Sequence, residues 1–149
     1  MLCVAIAVMV IQMIIKTYSE LIALQTYEER FDYLQLNGVV GKETFGYDRY
    51  LNQALYNSQD WRRFRRSIII RDNGCDMAYE GYTIHGPIIL HHINPISVDD
   101  ILKESKSIFD PENVVCVAHN THLAIHYGDK NLLIEGPIER TPNDTCPWR

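Results

Sequence analysis

The sequence predicts an α+β protein with a helical N-terminal region, a small β-containing core closed by one short helix, and an irregular C-terminal tail. Three observations lead there. Apolar residues recur at three- and four-residue steps through residues 17–36, the period of an amphipathic helix. Three β-prone runs, 79–83, 88–93 and 114–117, are bounded by turn residues. His122 and His126 lie four apart in a segment that opens on capping residues and closes on Gly128.

Residues 1–15 carry no charge, and Gln12 is their one strongly polar side chain. The run is shorter than the ~20 residues of a membrane span. It also lacks the basic start and small-residue cleavage site of a signal peptide. Three readings stay open: a buried strand or helix, an extension upstream of a natural start at Met13, and, against those length and flank arguments, a membrane or signal segment.

Residues 16–57 read as a helical region. Thr17 or Ser19 can cap its first helix, and Leu21, Leu24, Tyr27, Phe31 and Leu34 supply the apolar stripe. A second capping signal, Thr26-x-x-Glu29, predicts a break near Gln25 and two shorter helices. Asn37-Gly38 and Gly41 mark a loop, and the Tyr-rich stretch 45–56 forms a further helix.

Residues 58–149 hold the rest. Ser58 caps a basic helix through Ile70, with Trp61 and Phe64 facing the core and the arginines splayed outward. Asp72-Asn73-Gly74 is a turn. Residues 79–83 and 88–93 are expected to be two strands joined through Gly86-Pro87. Residues 99–107 connect to the turn 110–113, which leads into the strand 114–117. Asn120 or Thr121 is expected to cap a helix from His122 to Gly128. Pro137, Pro142 and Pro147 make the tail irregular.

With 149 residues, 46% apolar and 22% charged, the chain has the size and balance of one soluble globular domain. A net charge of −5 argues against a generic polyanion binder. The charge is uneven, however. Arg62, Arg63, Arg65 and Arg66 fall within six residues, and Arg71 follows. That segment is either the solvated face of a helix or a phosphate-contacting surface, since arginine offers bidentate bonds to phosphate oxygens. None of the four cysteines forms a C-x-x-C pair, so no zinc ribbon is written in the chain, and reduced thiols are the better reading.

All six histidines lie between His85 and His126. Two imidazoles four apart on a helix point from one face and can share a metal ion. His91 and His92 end an apolar, strand-like run. Adjacent strand residues point to opposite sides unless the strand is ending, so the pair divides its work, one facing a metal and the other a substrate. A metal beside a free imidazole is a workable hydrolase site: the ion neutralises phosphate charge and the imidazole takes a proton from water. Asn113 is the candidate to hold that imidazole in the right tautomer. No spacing ties His85 to the cluster, and it reads as a satisfied core residue. His119 is either a further ligand or phosphate contact, or a structural surface residue.

The motifs Leu90-His91-His92-Ile93-Asn94-Pro95, Asn113-Val114-Val115 and His122-Leu123-Ala124-Ile125-His126-Tyr127-Gly128 resemble the HNH endonucleases. The turn Arg71-Asp72-Asn73-Gly74-Cys75 extends the likeness, which covers residues 61–129. More narrowly the chain is similar to small HNH proteins of tailed phages and prophages, also at Thr17-Tyr18-Ser19-Glu20-Leu21 and Pro142-Asn143-Asp144-Thr145-Cys146-Pro147-Trp148.

The resemblance implies a ββα-metal core and a metal-dependent DNA endonuclease. His92 would be the general base, Asn113 its orienter, and His91, His122 and His126 the ligands of one divalent ion (Mg²⁺, Mn²⁺, Ni²⁺ or Zn²⁺). Arg62, Arg63, Arg65, Arg66 and Arg71 would contact DNA, with His119 a further phosphate contact. The implied partners are DNA and phage DNA-packaging proteins, the implied location is the host cytoplasm, and no membrane is involved. Many HNH proteins hold a structural zinc with two C-x-x-C pairs. Here Cys75 remains, but Ala78, Ala118 and Thr121 stand at the other positions, so no structural zinc is expected.

Overall fold

The computed structural model describes residues 15–36, 47–79 and 81–133. The extension before residue 15, the loop at 37–41 and the proline-bearing tail lie outside them. Among the described residues no helix is long and apolar enough to cross a membrane.

The N-terminal region breaks where its second capping signal predicts. Helix α1 spans Tyr18–Ala23, with the Thr17 hydroxyl accepting from the Glu20 amide. Helix α2 spans Tyr27–Leu34 and opens on a complete capping box between Thr26 and Glu29. Helix α3 covers Tyr47–Asn57. Helix α4 covers Gln59–Arg71, and the Ser58 side chain caps it at the Trp61 amide.

Two strands follow, β1 (Ile89–His92) and β2 (Val114–Val117), paired antiparallel with His91 opposite Val115 and His92 opposite Val114. Between them lie the short helix α5 (Val98–Leu102) and two 3₁₀ turns, Lys106–Phe109 and Pro111–Asn113. Helix α6 (His119–Tyr127) comes directly after β2 and ends at Gly128, whose φ of 66° is the left-handed conformation that glycine adopts without cost.

Strand alternation sorts the core into two halves. Val115, Val117 and Ile93 pack with Ala124 and Ile125 of α6 and with Leu21, Phe31 and Leu34 of α1 and α2. Val114 and Cys116 pack on the opposite face with Ile68 of α4. The sheet is therefore a partition, with α6 on one side and α4 on the other. Each large apolar side chain buried this way contributes about 1.5–3 kcal/mol. Helices α1 and α2 share the α6-side core rather than forming an appendage. Two bonds reinforce the union: the Leu36 amide donates to the Ile125 carbonyl at 3.1 Å, and the buried Arg30 donates to the Met77 carbonyl at 3.3 Å.

Two expected elements come out differently. Residues 79–83 are not a strand. Gly81 sits at φ 75°, the Tyr82 amide turns back onto the Tyr79 carbonyl, and one bridge between Cys75 and Thr83 remains. The fully buried β2 takes the pairing edge of β1 instead. Helix α6 starts three residues before His122, at His119, with Ala118 at the cap position and no side-chain cap. Neither Asn120 nor Thr121 caps it. Thr121 points inward and donates to Asp76 at 2.5 Å.

Candidate metal centre

His91 leaves β1 on the α6 side of the sheet, where α6 presents His122 and His126 one turn apart. The three rings form one cluster, with centroids 5.5 Å (His91–His122), 5.2 Å (His91–His126) and 4.3 Å (His122–His126) apart. One ring nitrogen from each lies within 4.8 Å of the others. The Nε2 atoms of His122 and His126 are 3.0 Å apart. Tetrahedral nitrogen ligands at ~2.0–2.1 Å from an ion stand about 3.3 Å apart, so the pair is close to a ligand edge.

The sharpest feature is His91. It is 3% exposed, and its buried Nε2 has no hydrogen-bond partner. An orphaned buried nitrogen costs roughly 1–3 kcal/mol, and a metal ion in the cluster would satisfy it. Burial, then the neighbouring His122 and His126 imidazoles, hold the His91 pKa well below the usual histidine value. Burial pushes His122 down to about 4, with His126 and His119 adding to the effect, and burial also lowers His126. The cluster is therefore neutral at pH 7, the protonation state that ligates metal.

His92 is placed on the other face. Its ring stacks on Trp61 at 5.7 Å, and its Nε2 lies 3.1 Å from the Ile108 carbonyl oxygen. A carbonyl only accepts, so Nε2 carries the proton and Nδ1 the lone pair. Burial lowers the His92 pKa, against the Ile108 hydrogen bond, which raises it.

Asn113 does not hold His92 directly. Its Oδ1 accepts from the Asn94 backbone amide at 2.8 Å and from Asn94 Nδ2 at 2.7 Å. Its Nδ2 donates to the Ser107 carbonyl at 3.1 Å. Asn113 thus ties the end of β1 to the 3₁₀ turn that carries Ile108. The bonded path from Asn113 to His92 passes through the backbone of that turn.

The arginines divide. Arg62, Arg63 and Arg66 are exposed on α4, whereas Arg65 is half-buried and donates to the Ile88 carbonyl at 2.6 Å. Arg71 departs from the expectation of a DNA contact. Its guanidinium is bidentate to Asp72 at 2.7 and 3.0 Å, donates to the carbonyls of Pro111 and Val114, and lies 3.6 Å over the Tyr18 ring. It clamps α4, β2 and α1 together. His119 and His85 are exposed and line one surface cleft with Tyr79 and Tyr82, so His85 is not the buried residue its isolation suggested.

Compared with protein-family models, curated proteins and solved structures, the chain matches none.

Sequence reasoning missed three residues that shape this site. Ile108 contributes only its carbonyl, which no side-chain pattern reveals. Trp61 reads as ordinary core, and its contact with His92 depends on how α4 docks. Asp76, buried between the start of α6 and the preceding turn, has the composition signature of any turn aspartate.

Proposed function

We propose that the chain is a metal-dependent DNA endonuclease of the HNH type, hydrolysing phosphodiester bonds with a histidine general base. The observation that carries the reading is the unpartnered, buried Nε2 of His91 beside His122 and His126. Two antiparallel strands followed by the ligand-bearing helix agree with the ββα-metal arrangement that the motifs resemble. His91, His122 and His126 would hold one divalent ion. Imidazole ligands suit Zn²⁺, Ni²⁺ or Co²⁺ by softness, and the harder Mn²⁺ and Mg²⁺ remain working ions for such chemistry. The bound ion would neutralise phosphate charge and stabilise the leaving oxygen.

The rest falls to the protein's own groups. His92, neutral and with Nδ1 unprotonated, takes the proton from the attacking water. Ile108 fixes its tautomer, and Asn113 fixes Ile108's turn. Arg62, Arg63 and Arg66 give the DNA backbone a cationic face. By the same resemblance, the setting is a phage or prophage protein in the host cytoplasm, acting with DNA-packaging proteins.

One observation favours a second reading. His92 is 8% exposed and packed under Trp61, on the sheet face opposite the metal cluster. A base must reach its water. If that ring stays closed on DNA, the protein is a non-catalytic DNA-binding or structural component of a packaging complex. Supercoiled-plasmid conversion separates the two, with wild type and His92→Ala compared in EDTA and then in added Mg²⁺, Mn²⁺, Ni²⁺ or Zn²⁺. Metal-dependent cutting lost in the variant supports the nuclease. No cutting by a folded, metal-binding protein supports the scaffold.

A further inference from the structure

Helix α6 carries two of the three metal ligands; its buried Ala124 and Ile125 pack it into the core, but no side chain of its cap residue holds its first turn. It has nine residues, short of the ~12–15 at which isolated helices become even marginal. Its cap residue is Ala118, which offers no side-chain acceptor. A slip of one residue would rotate it by about 100° and carry both imidazoles off the His91 side. Something outside the helix has to set its register.

At the first turn that role falls on one carboxylate, while Ala124 and Ile125 pack the second half into the core. Asp76 Oδ2 accepts from the Ala118 amide at 2.9 Å and from the Thr121 hydroxyl at 2.5 Å, both at the start of α6. Its Oδ1 accepts from the Ala78 amide at 3.0 Å, closing its own turn. The backbone at Asp76 is anchored in turn. Its amide donates to the Tyr82 carbonyl at 2.8 Å, and the next amide, Met77, donates to Cys116 of β2 at 3.0 Å. Asp76 is 1% exposed, so water does not compete for these bonds. A negative charge there also complements the N-terminal end of the helix dipole.

We infer that Asp76 is a positioning residue for the three-histidine centre, linking the β2 edge to the first turn of α6 so that His122 and His126 face His91. The inference rests on the metal site proposed above but not on the reaction. No covalent step is involved. Asp76 touches no ligand and acts only through Ala118 and Thr121, the latter next to His122 in the chain.

The test is Co²⁺ titration of the full chain at pH 7, read by visible absorption, with circular dichroism confirming the fold. Wild type, Asp76→Asn and Thr121→Val are compared. Asp76→Asn replaces one acceptor oxygen by a donor, and Thr121→Val removes only the hydroxyl. Residues that orient metal ligands typically contribute 10–100-fold in affinity. Folded Asp76→Asn should bind Co²⁺ within that range more weakly, and Thr121→Val several-fold more weakly, both at unchanged stoichiometry. A residue serving stability alone would lower the melting temperature and leave affinity at the wild-type value, and that result overturns the inference. Should Asp76→Asn not fold, Thr121→Val decides by the same criterion. Wild type that binds no Co²⁺ overturns both this inference and the metal site. Normal Co²⁺ behaviour in wild type, weaker binding in the variants and an uncut plasmid would support the positioning role and overturn the nuclease alone.

Discussion

The Nε2–H of His92 donates to the carbonyl oxygen of Ile108 at 3.1 Å, and that one bond determines which nitrogen is left to accept a proton. A backbone carbonyl is a fixed acceptor, so Nδ1 is the basic atom. Replacing His92 by alanine should reduce metal-dependent cleavage by ~10²–10⁴-fold, the usual weight of a general base. The three-histidine cluster lies on the other sheet face and should keep its metal affinity. Plasmid cleavage and Co²⁺ titration on the same variant check both halves, and near-normal cutting would remove His92 from the mechanism.

Asn113→Ala extends that argument. It unties the Ile108 turn from Asn94 and leaves buried partners unsatisfied, at a cost of about 1–3 kcal/mol. If Asn113 acts on His92 through the turn, cleavage should fall further than lost stability explains at temperatures where the variant is fully folded. A loss of activity that tracks unfolding alone would leave Asn113 purely structural.

Metal binding should also be visible as stability. An ion that binds only the folded chain adds about 2.7 kcal/mol at a hundredfold excess over its Kd. EDTA should therefore lower the melting temperature of wild type. The difference between chelated and metal-loaded samples should vanish in His91→Ala, which removes the ligand whose Nε2 is orphaned without a metal. An equal difference in the variant would place the bound metal elsewhere.

The same cluster fixes the sign of a pH effect. The pKa values of His91, His122 and His126 are held below the usual 6.5, His122 at about 4. Between about 4 and 6.5 the unfolded chain binds protons that the folded chain refuses, so metal-free stability should fall as pH drops through that window. Above 6.5 the contribution is fully present. Carboxylates also titrate near the lower end, so the control is His122→Gln, whose stability should decline less steeply between pH 6.5 and 4 in thermal melts.

Much of this was readable in the chain because it depends on local chemistry. Thr26 and Glu29 announce a helix start at the place where α2 begins, and Gly128 announces its end to α6. The four-residue step of His122 and His126 fixes their shared face on any helix. The placement of His91 and His92 on opposite faces of the sheet also follows from strand alternation. What the sequence did not disclose depends on tertiary approach. Residues 79–83 have the look of a strand but lost the pairing edge to β2. Arg71 looks like a phosphate contact, until folding places Asp72, Tyr18 and the carbonyls of Pro111 and Val114 around it. Asp76 and the Ile108 carbonyl gain meaning only from neighbours 16 to 45 residues away in sequence.

The arginines give the cleanest contrast between architecture and ligand contact. Arg71 pairs with Asp72, whose side chain is fully buried, while its own is 22% exposed. Asp72 also accepts from the Cys116 amide of β2 at 2.9 Å, so the pair sits at the joint between α4 and the sheet. Arg71→Ala would leave that carboxylate without its cation. Breaking a fully buried pair costs 3–5 kcal/mol, and partial solvent access here reduces the expectation to roughly 2–3 kcal/mol. Arg62, Arg63 and Arg66 are exposed, and changing all three to alanine should alter stability by no more than about 0.5 kcal/mol each. Their effect should appear on DNA instead. If each contacts one phosphate, the triple variant should lower the slope of log affinity against log salt by about 2–3. Thermal melts and salt-dependent DNA binding on the two variants make the comparison. A triple variant with an unchanged salt slope would return those three side chains to the role of a solvated helix face.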